Sequence, residues 1–252
     1  MRKAKDRDFV ETAEGLLFCL VGYLHPPQGY TAYLKYIPTT AGKWSRSGVG
    51  YRRILPYYHV TEVEKTFEFL RRNYPNYLFQ CPVRNITIST VPRNYVKQYY
   101  VPEERLQKIM TSSRKDELEE EVQRLVEFLS DLSGVTPDYF GVTGSILLGT
   151  HDRRFSDVDL TVLGMNASQR VKGVLTETRG SPIKGMKPEK AEKWIREKTE
   201  RFPLTRREAE LFLRRRWNYG YWGDRYFSIH PVRLDEEIEE EYGDRHYTSI
   251  GV

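Results

Sequence analysis

The chain has 252 residues, of which 39% are hydrophobic and 30% charged, and its formal net charge is +5 at pH 7. This length allows one large domain or two small ones. No apolar run approaches the roughly 18 to 20 residues of a membrane helix and no cleavable leader is evident, so we predict a cytoplasmic protein without membrane contact. Cys19 and Cys81 are the two cysteines of the sequence and lack zinc-ligand spacing, so we predict two reduced core residues and no disulfide framework.

The positive charge is concentrated toward the carboxyl-terminal end. Between 184 and 225 there are 13 Lys and Arg residues against seven Asp and Glu, whereas 234–245 contains seven acids and one Arg. A basic segment of this kind favours a polyanionic partner, although many basic proteins bind none. Charge alone therefore neither establishes nor excludes a nucleic acid partner.

The first half of the chain, 1–111, predicts a mixed α+β domain with a possible role in acceptor binding. Strands are predicted at 16–21, 30–37 and 85–89. Helices are predicted from a capping box at 61–64 to Pro75 and from Pro102 onward. Alternation in the second of these strands predicts that Ala32, Leu34 and Tyr36 share one face.

The segment 42–53 interleaves Lys and Arg with Trp and Tyr and predicts a flexible loop. Such a mixture suits single-stranded nucleic acid, because cations meet phosphates while rings stack on bases. A solvated hairpin explains the same residues equally well. Both interpretations stay open at this stage.

The most informative stretch, 141–163, reads as a strand, a tight Gly144-Ser145 turn, a short helix, a loop and a second strand. The strand period of two places the carboxylates of Asp157 and Asp159 on one face. Neighbouring carboxylates repel unless a cation lies between them, and oxygen ligands suit Mg²⁺ or Mn²⁺ together with substrate phosphates. Glycine permits close approach of a phosphate, and N–H groups at a helix start attract anions. The stretch predicts a site for a metal-bound triphosphate.

These residues also resemble a known family. Gly144-Ser145, Gly149 and the run 156–160, Ser-Asp-Val-Asp-Leu, resemble the signature of the DNA polymerase beta type nucleotidyltransferase superfamily, most closely its small nucleotidyltransferase domains. The whole chain is similar to a group of predicted archaeal nucleotidyltransferases. The resemblance implies that 112–252 is a nucleotidyltransferase domain, with a mixed sheet packed by helices.

The resemblance further implies an activity and its site residues. The reaction would move a nucleoside monophosphate from a nucleoside triphosphate to an acceptor hydroxyl, with release of pyrophosphate. Asp157 and Asp159 would hold two Mg²⁺ ions, or Mn²⁺, while Gly144 and Ser145 would cradle the β- and γ-phosphates. A cation at 153 or 154, both Arg, would neutralise charge there.

Members of this superfamily usually carry a third carboxylate on a later strand, and this sequence departs from that pattern. The strand predicted at 225–233 contains no acid. The remaining candidates for a third metal ligand or general base are Glu177, Asp224, His230 and Asp235. The departure leaves catalytic competence open.

The rest of the second half predicts four helices, with starts near 113, 167, 188 and 205. In the first of them, Leu132 belongs to the apolar stripe and 119–121, three Glu residues, form the solvent face. The run 214–222 places three Arg beside four rings, which is the strongest nucleic-acid-like patch in the chain. Rings at these positions fit a protein core equally well.

RNA is therefore the predicted acceptor, since the basic segments contain aromatic residues. One alternative is transfer to a protein side chain, an AMPylating activity. A second is a non-catalytic RNA-binding protein on the same fold. The last residues, 248–252, read as the start of a strand, which suggests a shortened version of a longer protein.

Overall fold

The computed structural model describes residues 2–54, 60–177 and 182–244, and for 60–62 it describes the backbone alone. Within these ranges the chain forms seven α-helices and thirteen strands. Parallel and antiparallel pairs occur together, so the predicted α+β class is confirmed. The predicted side-chain capping at 61 and the strand start at 248 lie outside the described residues.

Two compact units can be distinguished by their internal contacts. The first contains the described parts of Met1–Glu104, Thr143–Asp152 and Arg233–Val252. The second contains the described parts of Arg105–Val142 and Arg153–Val232. The predicted functional division into 1–111 and 112–252 stays a prediction.

The first unit contains an eight-stranded antiparallel sheet and the helix α1, Val60–Asn73. Its strands are β1 Phe9–Thr12, β2 Leu17–Leu20, β3 Gly29–Thr39, β4 Trp44–Arg46, β5 Val49–Arg53, β6 Leu78–Cys81, β7 Ile86–Pro92 and β8 Val96–Tyr100. The main order is β4-β5-β3-β2-β1-β8, with β7 paired to β3 and β6 to β7. Cys19 and Cys81 are buried and free, as predicted.

The predicted alternation in β3 is wrong at Tyr36. Leu17 pairs with Tyr36 and Phe18 with Leu34, so Lys35 is an extra residue in the register. A bulge of this kind reverses the faces beyond it. Ala32 and Leu34 therefore pack in one core cluster, whereas Tyr36 packs in another.

Of the two interpretations left open for 42–53, the structure confirms the hairpin, formed by β4 and β5, and not the flexible loop. Its Arg46 donates hydrogen bonds to Glu11 Oε2 and to Tyr100 Oη, both at 2.6 Å. Burial alone would raise the pKa of Glu11, but hydrogen bonds from Tyr100, Arg46 and Lys97 outweigh it and lower that pKa. Arg46 is thus a structural cation and not part of an exposed patch.

We expect Arg46→Met to lower the free energy of unfolding at pH 7 by about 1.5–3 kcal/mol, the usual contribution of a hydrogen bond to a charged group. Because the folded-state pKa of Glu11 is lowered, its stabilising effect is present above the unfolded pKa and disappears as pH falls through the folded pKa. The difference in the free energy of unfolding between wild type and variant should therefore become smaller below roughly pH 4. Urea unfolding at pH 7 and in acid measures this difference. A difference that does not change with pH would contradict the stabilising role of the Arg46–Glu11 pair.

The second unit is built on a five-stranded sheet in the order β11-β12-β13-β10-β9. Its strands are β9 Phe140–Val142, β10 Val158–Leu163, β11 Ile183–Lys184, β12 Tyr219–Trp222 and β13 Arg225–Val232. The other helices in the described part of the chain are α2 Pro102–Thr111, α3 Glu117–Ser133, α4 Gly144–Leu147, α5 Met165–Glu177, α6 Pro188–Arg201 and α7 Arg206–Arg215. The central pair, β10 and β13, is parallel, while the other pairs are antiparallel.

The start of α3 differs from the prediction. The capping box is formed by Asp116 and Glu119, so the helix begins about one turn later than the predicted start at 113. Leu118 and Leu129 lie in the core as predicted, but Leu132 is 49% exposed. The late start does not change which face of the helix is apolar.

Candidate functional site

The Gly-Ser segment belongs to the first unit, where it forms the predicted tight turn. Gly144 has a φ of +68°, which favours glycine, and the helix α4 that it begins has only four residues. Leu147 and Leu148 pack in a core cluster with residues of the first sheet, including Phe9. The phosphate-binding role of Gly144 and Ser145 stays a prediction.

The two aspartates belong to the second unit, at the start of β10. Asp157 immediately precedes the strand and is exposed, and Asp159, the second residue of the strand, is partly buried. Between and after them, Val158 and Leu160 are buried. This exposure pattern follows the predicted alternation, in which both carboxylates share one face.

The parallel partner strand β13 adds two polar side chains beside Asp159. Ser228 is directly opposite Asp159, and His230 is opposite Thr161. The Ser228 hydroxyl donates a hydrogen bond to Asp159 Oδ1 and lies 2.9 Å from His230 Nε2. A serine hydroxyl has one proton to donate. Nε2 of His230 therefore carries a hydrogen and donates to Ser228, which produces a chain of three polar groups.

A second set of contacts fixes the backbone just before Asp157. Arg225 donates from Nη1 to the carbonyl oxygen of Ser156 at 3.0 Å and from Nε to Glu121 Oε2 at 2.8 Å. The predicted solvent face at 119–121 is therefore wrong for Glu121, and also for Glu119, whose side chain is 14% exposed and forms an ion pair with Arg105. Sequence reasoning also missed Ser228 and Arg225, because neither belongs to a motif and both act across the sheet.

Of the four candidates for a third ligand or base, His230 is the one that the described structure connects to Asp159. Glu177 is the exposed last residue of α5. Asp224 has a side chain 94% exposed and lies 3.3 Å from Lys187 Nζ. Asp235, in the first unit, forms an ion pair with Lys5. Within 2–54, 60–177 and 182–244, no group of three or more His, Cys, Asp and Glu side chains forms a metal site.

The carboxylate pair nevertheless fits a hard divalent cation. Asp159 Oδ1 accepts one hydrogen bond, whereas a carboxylate has about four acceptor positions. On the same face of β10, the buried Thr161 Oγ1 has no hydrogen-bond partner among the described residues. Mg²⁺ is commonly held by one or two carboxylates with substrate phosphates and water. Asp157 and Asp159 could supply two carboxylates of such a donor set.

The predicted nucleic-acid-like patch at 214–222 is divided between surface and core. Tyr221 is buried, and the ring of Trp222 lies 5.0 Å from that of Phe128. On the neighbouring helix α7, Phe212 is 56% exposed and the Arg214 side chain 73% exposed. The core interpretation therefore applies to part of the patch, and a cationic, aromatic surface remains beside it.

The fold and these residues define an α+β protein with two carboxylates at the start of β10, an interior strand of the second sheet. No family model matches the chain, and no solved structure matches it. The chain is similar to Uncharacterized protein MJ1086 of Methanocaldococcus jannaschii, with 29% identity over 259 residues that cover 99% of this chain and 74% of that protein. The name of that relative states no function.

None of the helices in the described residues is long and apolar enough to cross a membrane.

Proposed function

We propose that the protein is a nucleotidyltransferase of the DNA polymerase beta type, which moves a nucleoside monophosphate from a nucleoside triphosphate to an acceptor hydroxyl. The observation that supports this proposal is the place of Asp157 immediately before β10 and of Asp159 within it, where β13 brings Ser228 and His230 beside Asp159. Paired carboxylates are unfavourable in a purely structural strand. A cation bound with the substrate explains them.

The chemistry follows from the groups present. Asp157 and Asp159 would hold Mg²⁺ or Mn²⁺, which when bound neutralises triphosphate charge and favours ionisation of the acceptor hydroxyl. The acceptor oxygen forms a bond to the α-phosphorus as the bond from that phosphorus to the β-phosphate oxygen breaks, and pyrophosphate leaves with the electron pair. In this proposal the other ring nitrogen of His230, Nδ1, accepts the hydroxyl proton, because Nε2 already carries a hydrogen and a neutral imidazole has one nitrogen that can act as a general base. Ser228 orients the Asp159 carboxylate.

RNA is the proposed acceptor, in a cytoplasmic setting. Arg214 and Phe212 together offer a cation and a ring at the surface of α7, which is the combination that binds single strands. Lys43 and Arg53 add cations 5.4 and 4.8 Å from the ring centre of Trp44 in the first unit. These surfaces support a nucleic acid more than a protein acceptor.

The direct test is incubation of the purified protein with α-labelled nucleoside triphosphates, Mg²⁺ or Mn²⁺, and a mixture of cellular RNA and protein. Label that nuclease releases supports the proposal. Label that resists nuclease but not protease would instead identify a protein-modifying enzyme. RNA binding that is lost at high salt and is indifferent to metal and triphosphate, without any transfer, would identify a non-catalytic RNA-binding protein.

Removing the hydroxyl beside Asp159 should weaken metal use without unfolding the protein. In Ser228→Ala we expect the Mn²⁺ concentration for half-maximal transfer to rise about 10–100-fold, the usual effect of losing a group that orients a metal ligand. The matched control is Ser168→Ala, which removes another buried hydroxyl of this unit, one that donates to Val162 O at 3.4 Å. Equal metal dependence in the two variants would contradict the role of Ser228.

A further inference from the structure

A cavity of about 230 Å³ lies within the second unit, beside the end of α7 and the β12–β13 hairpin. Its wall includes Met186, Leu213, Arg214, Arg216, Tyr219 and Tyr226. Pockets that enclose a whole drug-sized ligand measure roughly 300–1,000 Å³. This cavity is smaller, so it matches one ring system rather than a complete nucleotide.

The polar part of the wall consists of flat groups. The guanidinium carbon of Arg216 lies 3.8 Å from the ring centre of Tyr219 and 5.1 Å from that of Trp194. The rings of Tyr219 and Tyr226 have centres 6.1 Å apart and planes 30° apart. Guanidinium and tyrosine planes are the surfaces on which nucleic acid bases stack. The cavity wall is therefore suited to a planar aromatic ligand.

Two lysines adjoin residues of the cavity wall in the sequence, Lys187 next to Met186 and Lys190 next to Ala191. Their ammonium groups lie 5.6 and 5.2 Å from the ring centre of Tyr221. Lys187 also lies 3.3 Å from Asp224 Oδ1 in an exposed ion pair, which contributes little and does not prevent contact with a phosphate. The two lysines therefore favour a ligand that carries negative charge.

We propose that this cavity binds the base of a nucleotide, whose phosphates are attracted by the neighbouring cations. Assigning that nucleotide to the transfer reaction rests on the proposed function, whereas binding of the base does not require catalysis. A free nucleoside triphosphate and an RNA strand both supply a base of this chemistry. The experiment has one arm for each source.

The test is binding without added metal, by calorimetry with ATP, GTP, CTP and UTP and by fluorescence anisotropy with short labelled RNA strands. Tyr219→Ala should weaken binding about 5- to 150-fold, the effect of removing one stacking ring. Gly185→Leu should also weaken it, because Gly185 lines the cavity and an added Cβ there meets no atom within 4 Å, so the backbone can accept a side chain that takes up part of the cavity. Gly173→Leu on α5 is the matched control, since its Cβ likewise meets nothing within 4 Å.

Weakened binding in both cavity variants, with the control unchanged, supports the inference. If the lost binding is to triphosphates, the cavity belongs to the donor nucleotide. If it is to RNA, the cavity belongs to the acceptor. A wild type that binds neither probe, or cavity variants that bind like wild type, overturns it.

Asp157→Asn combined with Asp159→Asn separates this inference from the proposed function. That protein should lose transfer and keep metal-free binding. Cavity variants that still transfer nucleotide and bind the probes like wild type would contradict the cavity proposal and leave the proposed function standing.

Discussion

Replacing Asp157 and Asp159 together by asparagine is expected to reduce nucleotide transfer by about 10³-fold or more. A catalytic metal supplies several kcal/mol of charge stabilisation in the transition state, and each 1.36 kcal/mol changes the rate about tenfold. Asparagine keeps the shape of the side chain and removes the mutual repulsion of the carboxylates, so the variant should unfold no more easily than wild type. Initial rates of label incorporation with Mg²⁺ and with Mn²⁺ measure the effect.

The control for this experiment is Asp131→Asn. Asp131 is an exposed acid of α3 in the same unit. Because a surface substitution outside the proposed site usually has little effect, this variant should transfer nucleotide at the rate of wild type. Nucleotide transfer by the double variant at the rate of wild type would contradict the assignment of the site, whatever the acceptor.

The largest effect on stability is expected from Arg2→Met. The Asp8 side chain is completely buried, and Arg2 donates two hydrogen bonds to it, at 2.6 and 2.8 Å. Tyr99 and the backbone N–H of Lys5 donate to the same carboxylate, but neither carries the compensating charge. Breaking one side of a buried ion pair typically costs about 3–5 kcal/mol, because the remaining charge stays buried and uncompensated. Urea unfolding at pH 7 measures the loss.

Two further variants test that explanation. Arg124→Met breaks an exposed pair with Glu120, at 3.5 Å and one helical turn apart, and should change the free energy of unfolding by less than about 1 kcal/mol. Adding Asp8→Leu to Arg2→Met should recover part of the loss, because it removes the uncompensated charge. If Arg2→Met destabilises no more than Arg124→Met, Asp8 does not depend on Arg2.

Several features of the candidate site can be read from local sequence. The alternation of apolar residues around Asp157 and Asp159 depends only on neighbours along the chain, and it predicted a strand with both carboxylates on one face. The capping box at Thr205 and the proline at the start of α6 are equally local signals, and both helices begin where those signals predicted. Local chemistry therefore determined the elements that carry the motif.

Contacts between distant strands were decided by the tertiary structure alone. Ser228 lies opposite Asp159 because β10 and β13 pair in parallel at one register, and no pattern within either strand encodes that partner. The bulge at Lys35, which moves Tyr36 to the other face of β3, likewise depends on the register with β2. Arg46 could not be assigned from its cationic loop, because the buried Glu11 that binds it lies on β1. The sequence by itself thus determined the strand that carries Asp159 and the starts of α6 and α7, whereas strand pairing decided which side chains surround the carboxylates, since side chains far apart in the chain meet only after the sheet has formed.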